Sequence, residues 1–216
     1  MFITLEGLDG SGKTTQFQPL VAWLEGRGHA VLALREPGGT EIGERIREVL
    51  HDHRHSDMDA RAELMLYCAS RAQLMATRIL PHLERGGIVV CDRFADSTLA
   101  YQGYGRGLEV GFLRELLGFV TRGRRPDLTL YFDIDASASL RRRAQGGEWN
   151  RMDAESEAFY RRVQAGYALL IAAEPARWAR VDATQAPEAV GADVIACVAR
   201  ALNRKSESSA RGFATR

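Results

Sequence analysis

The chain contains 216 residues, of which 45% are hydrophobic and 26% are charged, so it is long enough and apolar enough to bury a full hydrophobic core. Its formal net charge is +1, and this balance offers no support for a protein that binds nucleic acid or a membrane surface. The three cysteines, Cys68, Cys91 and Cys197, form no CxxC pair, and no apolar run approaches the ~20 residues that span a bilayer, so we expect a cytoplasmic protein without a disulfide framework.

The first elements are a strand, a glycine-rich loop and a helix, in that order. Residues 2–6 predict a strand, and apolar residues recur with helical spacing from 15 to 24. Between them the sequence matches the phosphate-loop pattern G-x-x-x-x-G-K-[ST] at Gly7, Leu8, Asp9, Gly10, Ser11, Gly12, Lys13 and Thr14. In such a loop, backbone N–H groups surround phosphate oxygens. Lys13 would reach the β- and γ-phosphates of a nucleotide, and the Thr14 hydroxyl would bind Mg²⁺.

Lysine usage supports this interpretation. Of the 29 basic residues 27 are arginine, and the two lysines are Lys13 and Lys205. A chain that uses arginine almost everywhere keeps lysine in the loop, where a compact ammonium fits and a guanidinium fork does not. We therefore expect the loop to bind a nucleotide with Mg²⁺; the alternative is a glycine-rich turn that binds nothing.

Four further apolar runs have the length of buried strands and alternate with helical patterns. Strands are predicted at 30–34, 88–91, 128–133 and 178–181, and helices at 42–50, 58–85, 108–120, 137–143, 155–174 and 187–202. Pro81 predicts a kink or break near the end of the long helix, and residues 94–107 predict a loop with short helical character. We expect one domain over residues 1–203 and a disordered tail from 204 to 216.

Five short apolar strands separated by helices predict an α/β fold. The expected architecture is a P-loop NTPase-type, five-stranded parallel sheet with helices on both faces. Ligands bind such sheets at the carboxyl ends of the strands. Those ends are Glu6, Arg35, Asp92 and Asp133.

Three histidines alternate in the polar segment after the second helix, at positions 51, 53 and 55. They allow a metal site or a solvated loop. The second interpretation is favoured, because metal ligands need fixed elements and a supporting shell of hydrogen bonds.

Several motifs beyond the loop select among phosphate-loop proteins. They are Arg35-Glu36-Pro37-Gly38-Gly39-Thr40, Ser70-Arg71-Ala72-Gln73, Asp92-Arg93-Phe94 and the stretch from Asp96 to Gly103. In this order, and together with Glu6 to Thr15, they resemble the thymidylate kinase (dTMP kinase) family over residues 1 to about 203. The base-reading NKxD motif of guanine-nucleotide switches and the LSGGQ segment of ABC-type ATPases are both missing from the sequence.

Arginines at two strand ends suit an acceptor that carries a phosphate. Arg35 and Arg93 can clamp the acceptor phosphate bidentately, the alternative being surface ion pairing. A phosphate monoester is mostly dianionic at pH 7 and needs no general base, so the barrier lies in aligning two polyanions. Asp92 is expected to hold the Mg²⁺ shell, directly or through water, or else to cap the following turn.

The resemblance implies roles for the remaining acceptor residues. Asp9 accepts a hydrogen bond from a sugar hydroxyl, and Tyr101 packs beneath the sugar. Tyr67 stacks on thymine, while Arg71, four residues later on the same helix face, bonds its carbonyl edge. Thr98 bonds the base and Gln102 assists. Core packing is the alternative for Tyr67, and a helix start is the alternative for Thr98 and Tyr101.

The expected lid, near residues 141–153, departs from the family pattern. Family members whose loop has no basic residue besides its lysine, which is also the case here, supply catalytic arginines from a segment after the fourth strand. Here three arginines are consecutive at 141–143 and the next is Arg151. We expect Arg143 and Arg151 to be the catalytic arginines; the alternative is that both are solvated helix charges.

The resemblance implies transfer of the γ-phosphoryl group of Mg-ATP to dTMP, giving dTDP and ADP, as a step of dTTP biosynthesis. It also implies a homodimer that acts on small molecules and has no nucleic-acid or membrane partner. Two alternatives stay open: a kinase for another nucleoside monophosphate, and a nucleotide-dependent binding module without transfer. Retention of Arg35, Asp92 and Arg93 argues against the second, because a module that only binds ATP has no use for an acceptor clamp.

Overall fold

Five parallel strands form one sheet in the order β2-β3-β1-β4-β5. They are β1 (Phe2–Gly7), β2 (Val31–Arg35), β3 (Ile88–Asp92), β4 (Leu128–Asp133) and β5 (Trp178–Asp182). The structure is a computed structural model that describes residues 1–146 and 150–213, with side chains up to residue 205. Every strand predicted from an apolar run is present, and the predicted α/β fold with a five-stranded parallel sheet is confirmed.

Helices connect the strands. In the described ranges they are α1 (Lys13–Glu25), α2 (Glu41–His51), α3 (Ala60–Leu74), α4 (Leu80–Glu84), α5 (Ala95–Thr98), α6 (Val110–Val120), α7 (Ala136–Ala144), α8 (Glu157–Ala173) and α9 (Pro187–Phe213). Polar caps mark several helix starts. Thr40 accepts a hydrogen bond from Gly43 N at the start of α2, and Asp59 accepts one from Arg61 N at the start of α3.

Both faces of the sheet are covered, because successive strand residues point to opposite sides. Ile3 and Leu5 pack with α1 and α9, whereas Phe2 packs on the opposite face with Leu74 and Phe94. Each fully buried leucine or isoleucine contributes about 1.5–3 kcal/mol. This two-sided core fixes the strand ends and the loops that extend from them.

The long helix predicted over 58–85 divides into three parts. An α-helix ends at Leu74, a π-helical turn spans Met75–Ile79, and α4 follows. Pro81 has no N–H and its ring crowds the carbonyl four residues earlier, so the helix widens one turn before it. The α-helix is thus interrupted near Pro81, where a kink or break was predicted.

The segment 94–107, predicted as a loop with short helical character, is mostly helical, with α5 followed by a π-helix over Leu99–Gly105. At Gly105, one of the glycines that suggested a loop, close packing explains why the residue is glycine. A Cβ atom there would lie 2.7 Å from the Phe159 ring and 2.9 Å from Val163. Glycine is needed for the close approach of α8 rather than for a turn.

The last helix also differs from expectation, since α9 continues to Phe213 where a tail without regular structure was predicted from residue 204. Lys205 contributes to this extension by donating to Asp127 Oδ2 at 3.1 Å. Residues 214–216 of the predicted tail and 147–149 of the predicted lid lie outside the described residues. Within the described ranges no helix combines the length and apolar character needed to cross a bilayer.

Candidate active site

One cavity of about 750 Å³ opens at the carboxyl ends of β1, β2 and β3. It is lined by most of the predicted site residues: Asp9, Gly10, Gly12, Lys13, Thr14, Arg35, Tyr67, Arg71, Asp92, Arg93, Thr98, Tyr101, Gln102 and Arg143. Of the remaining predicted residues, Gly7 ends β1, and Leu8 and Ser11 are buried behind the cavity. The fold therefore brings residues from distant parts of the sequence to one site.

The phosphate loop is held tightly against α7. Gly10 has φ +82°, and a Cβ atom there would lie 2.9 Å from Arg143 N. Ser139 Oγ of α7 also donates to Asp9 O at 2.5 Å. Because only glycine allows this approach, the loop and the helix that carries Arg143 are fixed to each other.

Lys13 lies inside the loop rather than in solvent. Its ammonium donates to the carbonyls of Gly7 and Leu8, at 3.0 and 2.7 Å, and to Ser11 Oγ at 3.3 Å. Burial and, secondly, the charge of Arg93 lower the pKa of Lys13 to about 8. A phosphate bound in the loop would favour the charged form.

Arg93 connects the loop to the end of β3. Its Nη2 atom donates to Asp9 Oδ1 at 2.7 Å and to the Tyr101 hydroxyl at 3.3 Å. Burial would raise the pKa of Asp9, but the charges of Arg93 and Lys13 outweigh it and lower that pKa to about 2. Asp9 is therefore an ionised acceptor at the meeting point of the loop and the predicted acceptor clamp.

Glu6 holds the turn that presents Arg93, a role that the motif analysis missed. Arg93 has φ +66°, a left-handed conformation that is uncommon for residues other than glycine. Next to it, Glu6 accepts hydrogen bonds from Phe94 N at 2.8 Å and from Ser97 Oγ at 2.5 Å. Burial, with Asp96 nearby, raises the pKa of Glu6 to about 7. The available sequence signal was an acidic residue, Glu6, near the end of a mostly apolar strand.

The opposite end of the cavity contains the predicted base contacts. Arg71 is almost fully buried, and it donates to Glu36 Oε2 at 2.7 Å and to Thr98 Oγ1 at 2.9 Å. Tyr67 also lines the cavity, and burial, with Glu63 nearby, raises its pKa to about 12, so its hydroxyl stays neutral. This places an aromatic ring, a guanidinium and a hydroxyl around one space.

Tyr101 belongs both to the cavity lining and to the hydrophobic core. Its hydroxyl contacts Asp9 and Arg93, while its ring packs edge-on against Phe159 and Tyr160 with centroids 6.1 and 6.5 Å apart. The ring is thus a rigid part of the cavity wall.

Arg35 is more exposed than Arg71, Arg93 and Arg143 of the cavity. Its side chain is 48% exposed and pairs with Glu44 at 2.9 Å. An exposed pair of this kind contributes little stability, so the guanidinium is able to exchange partners.

Mg²⁺, which the loop motif implies, is consistent with the residues present. Asp92 Oδ1 is buried and has no hydrogen-bond partner among the described residues, as expected for an oxygen that faces a cation or its water shell. Thr14 lines the same cavity. No cluster of three or more His, Cys, Asp or Glu able to hold a metal occurs in the described part of the chain. Substrate oxygens and water would complete the Mg²⁺ shell.

The two predicted lid arginines occupy different places. Arg143 lines the cavity, and Asp153 holds it bidentately with both contacts at 2.7 Å. Arg151 is 5% exposed and lies behind the cavity, where it donates to Leu50 O at 3.0 Å and to Glu63. This placement does not support the expectation of a catalytic Arg151, because its side chain does not line the cavity.

A local cap explains the direction of Arg151. Asn150 caps the 3₁₀ turn Arg151–Ala154, and Asp153 accepts from Asn150 N at 2.8 Å in return. This capping box turns residue 151 inward. The sequence signal for the cap, Asn followed three residues later by an acid, was available but was not used.

The cavity also contains residues that the motifs did not single out. Arg47 and His51 of α2 line it, and Arg47 donates to Pro37 O at 3.1 Å. Arg142 lines it as well and donates to Ala183 O at 2.7 Å. The helical spacing of 47 and 51 was the available signal, since it places both on one face of α2.

Comparison with known proteins agrees with this geometry. A family model described as Thymidylate kinase matches residues 5–194, which is most of the chain. The chain belongs to the thymidylate kinase family. It is thus an enzyme, a kinase, and the predicted resemblance is confirmed.

Relatives of this family match at moderate identity over nearly their full length. A thymidylate kinase of Roseiflexus sp. (strain RS-1) is 46% identical over 210 residues, covering 92% of this chain and 93% of the relative. One of Deinococcus radiodurans is 46% identical over 198 residues, covering 92% and 96%. The crystal structure of thymidylate kinase from Ehrlichia chaffeensis superposes with a TM-score of 0.74 at 34% identity, covering 92% of this chain and 97% of that one. The P-loop NTPase-type fold is therefore that of the thymidylate kinase family.

Proposed function

We propose that this enzyme phosphorylates dTMP to dTDP with Mg-ATP as donor, and so serves dTTP biosynthesis. One observation carries the proposal. Arg93, the expected clamp for the acceptor phosphate, bonds Asp9 of the phosphate loop at 2.7 Å, so donor and acceptor groups share one cavity. Membership of the thymidylate kinase family supports dTMP as the acceptor and ATP as the donor.

The donor end is formed by the loop. The backbone N–H groups of residues 7–14 and the start of α1 would hold the β- and γ-phosphates of ATP. Lys13 would exchange its bonds to the Gly7 and Leu8 carbonyls for phosphate oxygens. Thr14 and Asp92 would hold Mg²⁺, which when bound would neutralise part of the charge of the phosphates.

The acceptor end orients the monophosphate for in-line attack. Arg93, with Arg35 at the neighbouring strand end, would bind two oxygens of the dTMP phosphate and leave the third to attack. No base is needed, because the acceptor oxygen already carries charge at pH 7. Asp9 would accept a hydrogen bond from the sugar, with Tyr101 packed beneath it.

The base would lie at the far end of the cavity. Tyr67 offers an aromatic face for stacking. Arg71 and Thr98, already bonded to each other, would contact the edge of the base, with Gln102 beside them. Of the two lid arginines only Arg143 lines the cavity, so we assign it to the charge that develops on the transferred phosphoryl group.

We also propose a homodimer. Apolar side chains on three helices that pack side by side remain exposed: Ile42 and Val49 on α2, Met65 on α3, and Phe112 and Phe119 on α6. Phe119 is 83% exposed. Exposed large apolar side chains on neighbouring helices are typical of an interface, and a second copy of the chain would cover them. Phe119→Glu should convert the dimer to a monomer in light scattering after size exclusion.

The domain boundaries and the location remain proposals of the same kind. Residues 1–203 form the proposed nucleoside monophosphate kinase domain, with a lid near 141–153. The proposed location is the cytoplasm, which the cysteine usage supports, and the proposed partners are nucleotides rather than nucleic acid or a membrane.

Product analysis tests the proposed reaction. The protein is incubated with ATP, Mg²⁺ and dTMP, and nucleotides are separated by ion-exchange chromatography. We expect equal amounts of ADP and dTDP, and no dTDP from Lys13→Ala or in the presence of excess EDTA. Formation of ADP without dTDP would contradict the proposal.

A further inference from the structure

Glu63 lies directly behind the base end of the cavity. It is fully buried on α3, one turn before Tyr67 and two turns before Arg71, so the three side chains share a helix face. No motif drew attention to it. Its position next to two proposed base contacts makes its hydrogen bonds relevant to recognition.

The carboxylate of Glu63 is surrounded by donors. Gln102 Nε2 donates to it at 2.8 Å, Arg106 donates through Nε and Nη2 at 3.2 and 3.0 Å, and Arg151 also donates to it. Burial alone would raise the pKa of Glu63, but the hydrogen bonds from Arg106 and Gln102 outweigh it and the pKa is lowered. Glu63 therefore stays ionised and acts only as an acceptor.

An obligate acceptor fixes the orientation of a neighbouring amide. The two ends of a glutamine side chain differ only in being a donor or an acceptor, and the hydrogen-bond network decides which end points where. Since the NH₂ group of Gln102 is bonded to Glu63, its carbonyl Oε1 points the other way. Gln102 lines the cavity, and among the described residues no group donates to Oε1. Gln102 therefore presents an acceptor oxygen to the cavity.

We propose that Glu63 is a positioning residue for base specificity, which orients Gln102 so that its carbonyl accepts the ring N3–H of the nucleobase. Thymine carries a proton on N3, whereas the N3 of cytosine is unprotonated and would face the carbonyl oxygen as a second acceptor. This inference rests on the proposed function. It adds that a residue without contact to the substrate determines which base edge is accepted.

The test compares dTMP with 5-methyl-dCMP, which keeps the methyl group and the sugar but lacks N3–H. Glu63→Gln gives residue 63 a donor and an acceptor, so Gln102 is able to turn its NH₂ group to the cavity. We expect the ratio of kcat/KM for dTMP over 5-methyl-dCMP to fall about tenfold or more, the size of effect expected for one buried hydrogen bond. The change should appear in the KM for the acceptor, with the KM for ATP unchanged.

Glu155→Gln is the matched control. Glu155 pairs with Arg106 at 2.6 Å, so its loss perturbs the same charge network without touching Gln102. This variant should keep the wild-type ratio. An unchanged ratio in Glu63→Gln, or an equal fall in Glu155→Gln, would overturn the inference.

A second variant keeps the test decisive if Glu63→Gln does not fold, as judged by circular dichroism. Wild-type protein should reject N3-methyl-dTMP, and Gln102→Leu should lose that preference for dTMP because it has no carbonyl. A preference retained in Gln102→Leu would overturn the inference. Absence of dTMP turnover by the wild type would instead contradict the proposed function, so the two failures are distinguishable.

Discussion

Replacing each lid arginine by alanine separates a catalytic charge from a structural one. Arg143→Ala removes a side chain that lines the cavity, on a helix whose backbone packs against Gly10 of the phosphate loop. If Arg143 stabilises the transferred phosphoryl group, kcat should fall by about 10²–10³, the effect of removing one preorganised donor. The KM values should change much less.

Arg151→Ala should act mainly on stability. Arg151 is buried and paired with Glu63, and removing one partner of a buried ion pair costs about 3–5 kcal/mol. Glu63 retains Arg106 and Gln102, so the loss should be near the lower limit. We expect kcat of the folded variant to fall less than about tenfold, because the side chain does not reach the cavity.

Stability alone does not distinguish the two variants. Arg143→Ala also removes the ion-pair partner of Asp153, whose side chain is 2% exposed and still accepts a hydrogen bond from Asn150 N. The free energy of unfolding should therefore fall by about 1–3 kcal/mol. The assay is therefore kcat at saturating ATP and dTMP, at a temperature where both variants are folded. Arg141→Ala, an exposed change on the same helix, is the control. A larger loss of kcat in Arg151→Ala than in Arg143→Ala would refute this reasoning.

Three further perturbations test other parts of the cavity. Arg93→Ala should raise the KM for dTMP and lower kcat while ATP affinity is retained, and loss of ATP binding with intact dTMP binding in calorimetry would place Arg93 on the donor side. Glu6 should make the protein less stable as pH rises from about 4.5 to about 7, because burial raises its pKa and the folded state holds the proton more tightly. In urea titrations at several pH values, the difference between wild type and Glu6→Gln should therefore shift by about 3 kcal/mol over this interval, and a constant difference would contradict the assignment. Tyr101→Ala should reduce the ratio of kcat/KM for dTMP over its ribonucleotide by about 5- to 150-fold, with Tyr101→Phe as the control that keeps the ring. An unchanged ratio would mean that Tyr101 serves only core packing.

The strand ends and the phosphate loop were predictable from local sequence. Continuous apolar runs have few alternatives to buried parallel strands, and a strand that ends in Asp92-Arg93 places both residues at the ligand edge. The loop motif carries its own geometry in its glycines and Lys13. For these features, short segments determine the structure.

The supporting contacts were not predictable, because they join residues that are distant in the chain. Glu6 meets Phe94 88 positions later, and Glu63 meets Arg151 at the same separation. No periodicity records such pairs. The different positions of Arg143 and Arg151 follow from these contacts: both are paired with an acid, but only the tertiary structure shows that Arg143 lines the cavity and that Arg151 is buried against Glu63.

The π-helix over Leu99–Gly105 shows how the same limit affects secondary structure. Its glycines are typical of a loop in isolation, and Gly105 is explained only by the approach of Phe159 from α8. Thr98, Tyr101 and Gln102 belong to this region. Their identities were therefore predicted from the motif, whereas their helical setting was not.

Acceptor selectivity tests the central claim most directly. Initial rates of ADP formation are measured with ATP and Mg²⁺ and with dTMP, dUMP, UMP, CMP, AMP or GMP as acceptor, using Lys13→Ala as the blank. We expect the highest kcat/KM for dTMP and no acceptor-dependent ADP from AMP or GMP, since the cavity offers Tyr67, Arg71 and Thr98 to a pyrimidine. ADP formation with AMP or GMP but not with dTMP would contradict this claim.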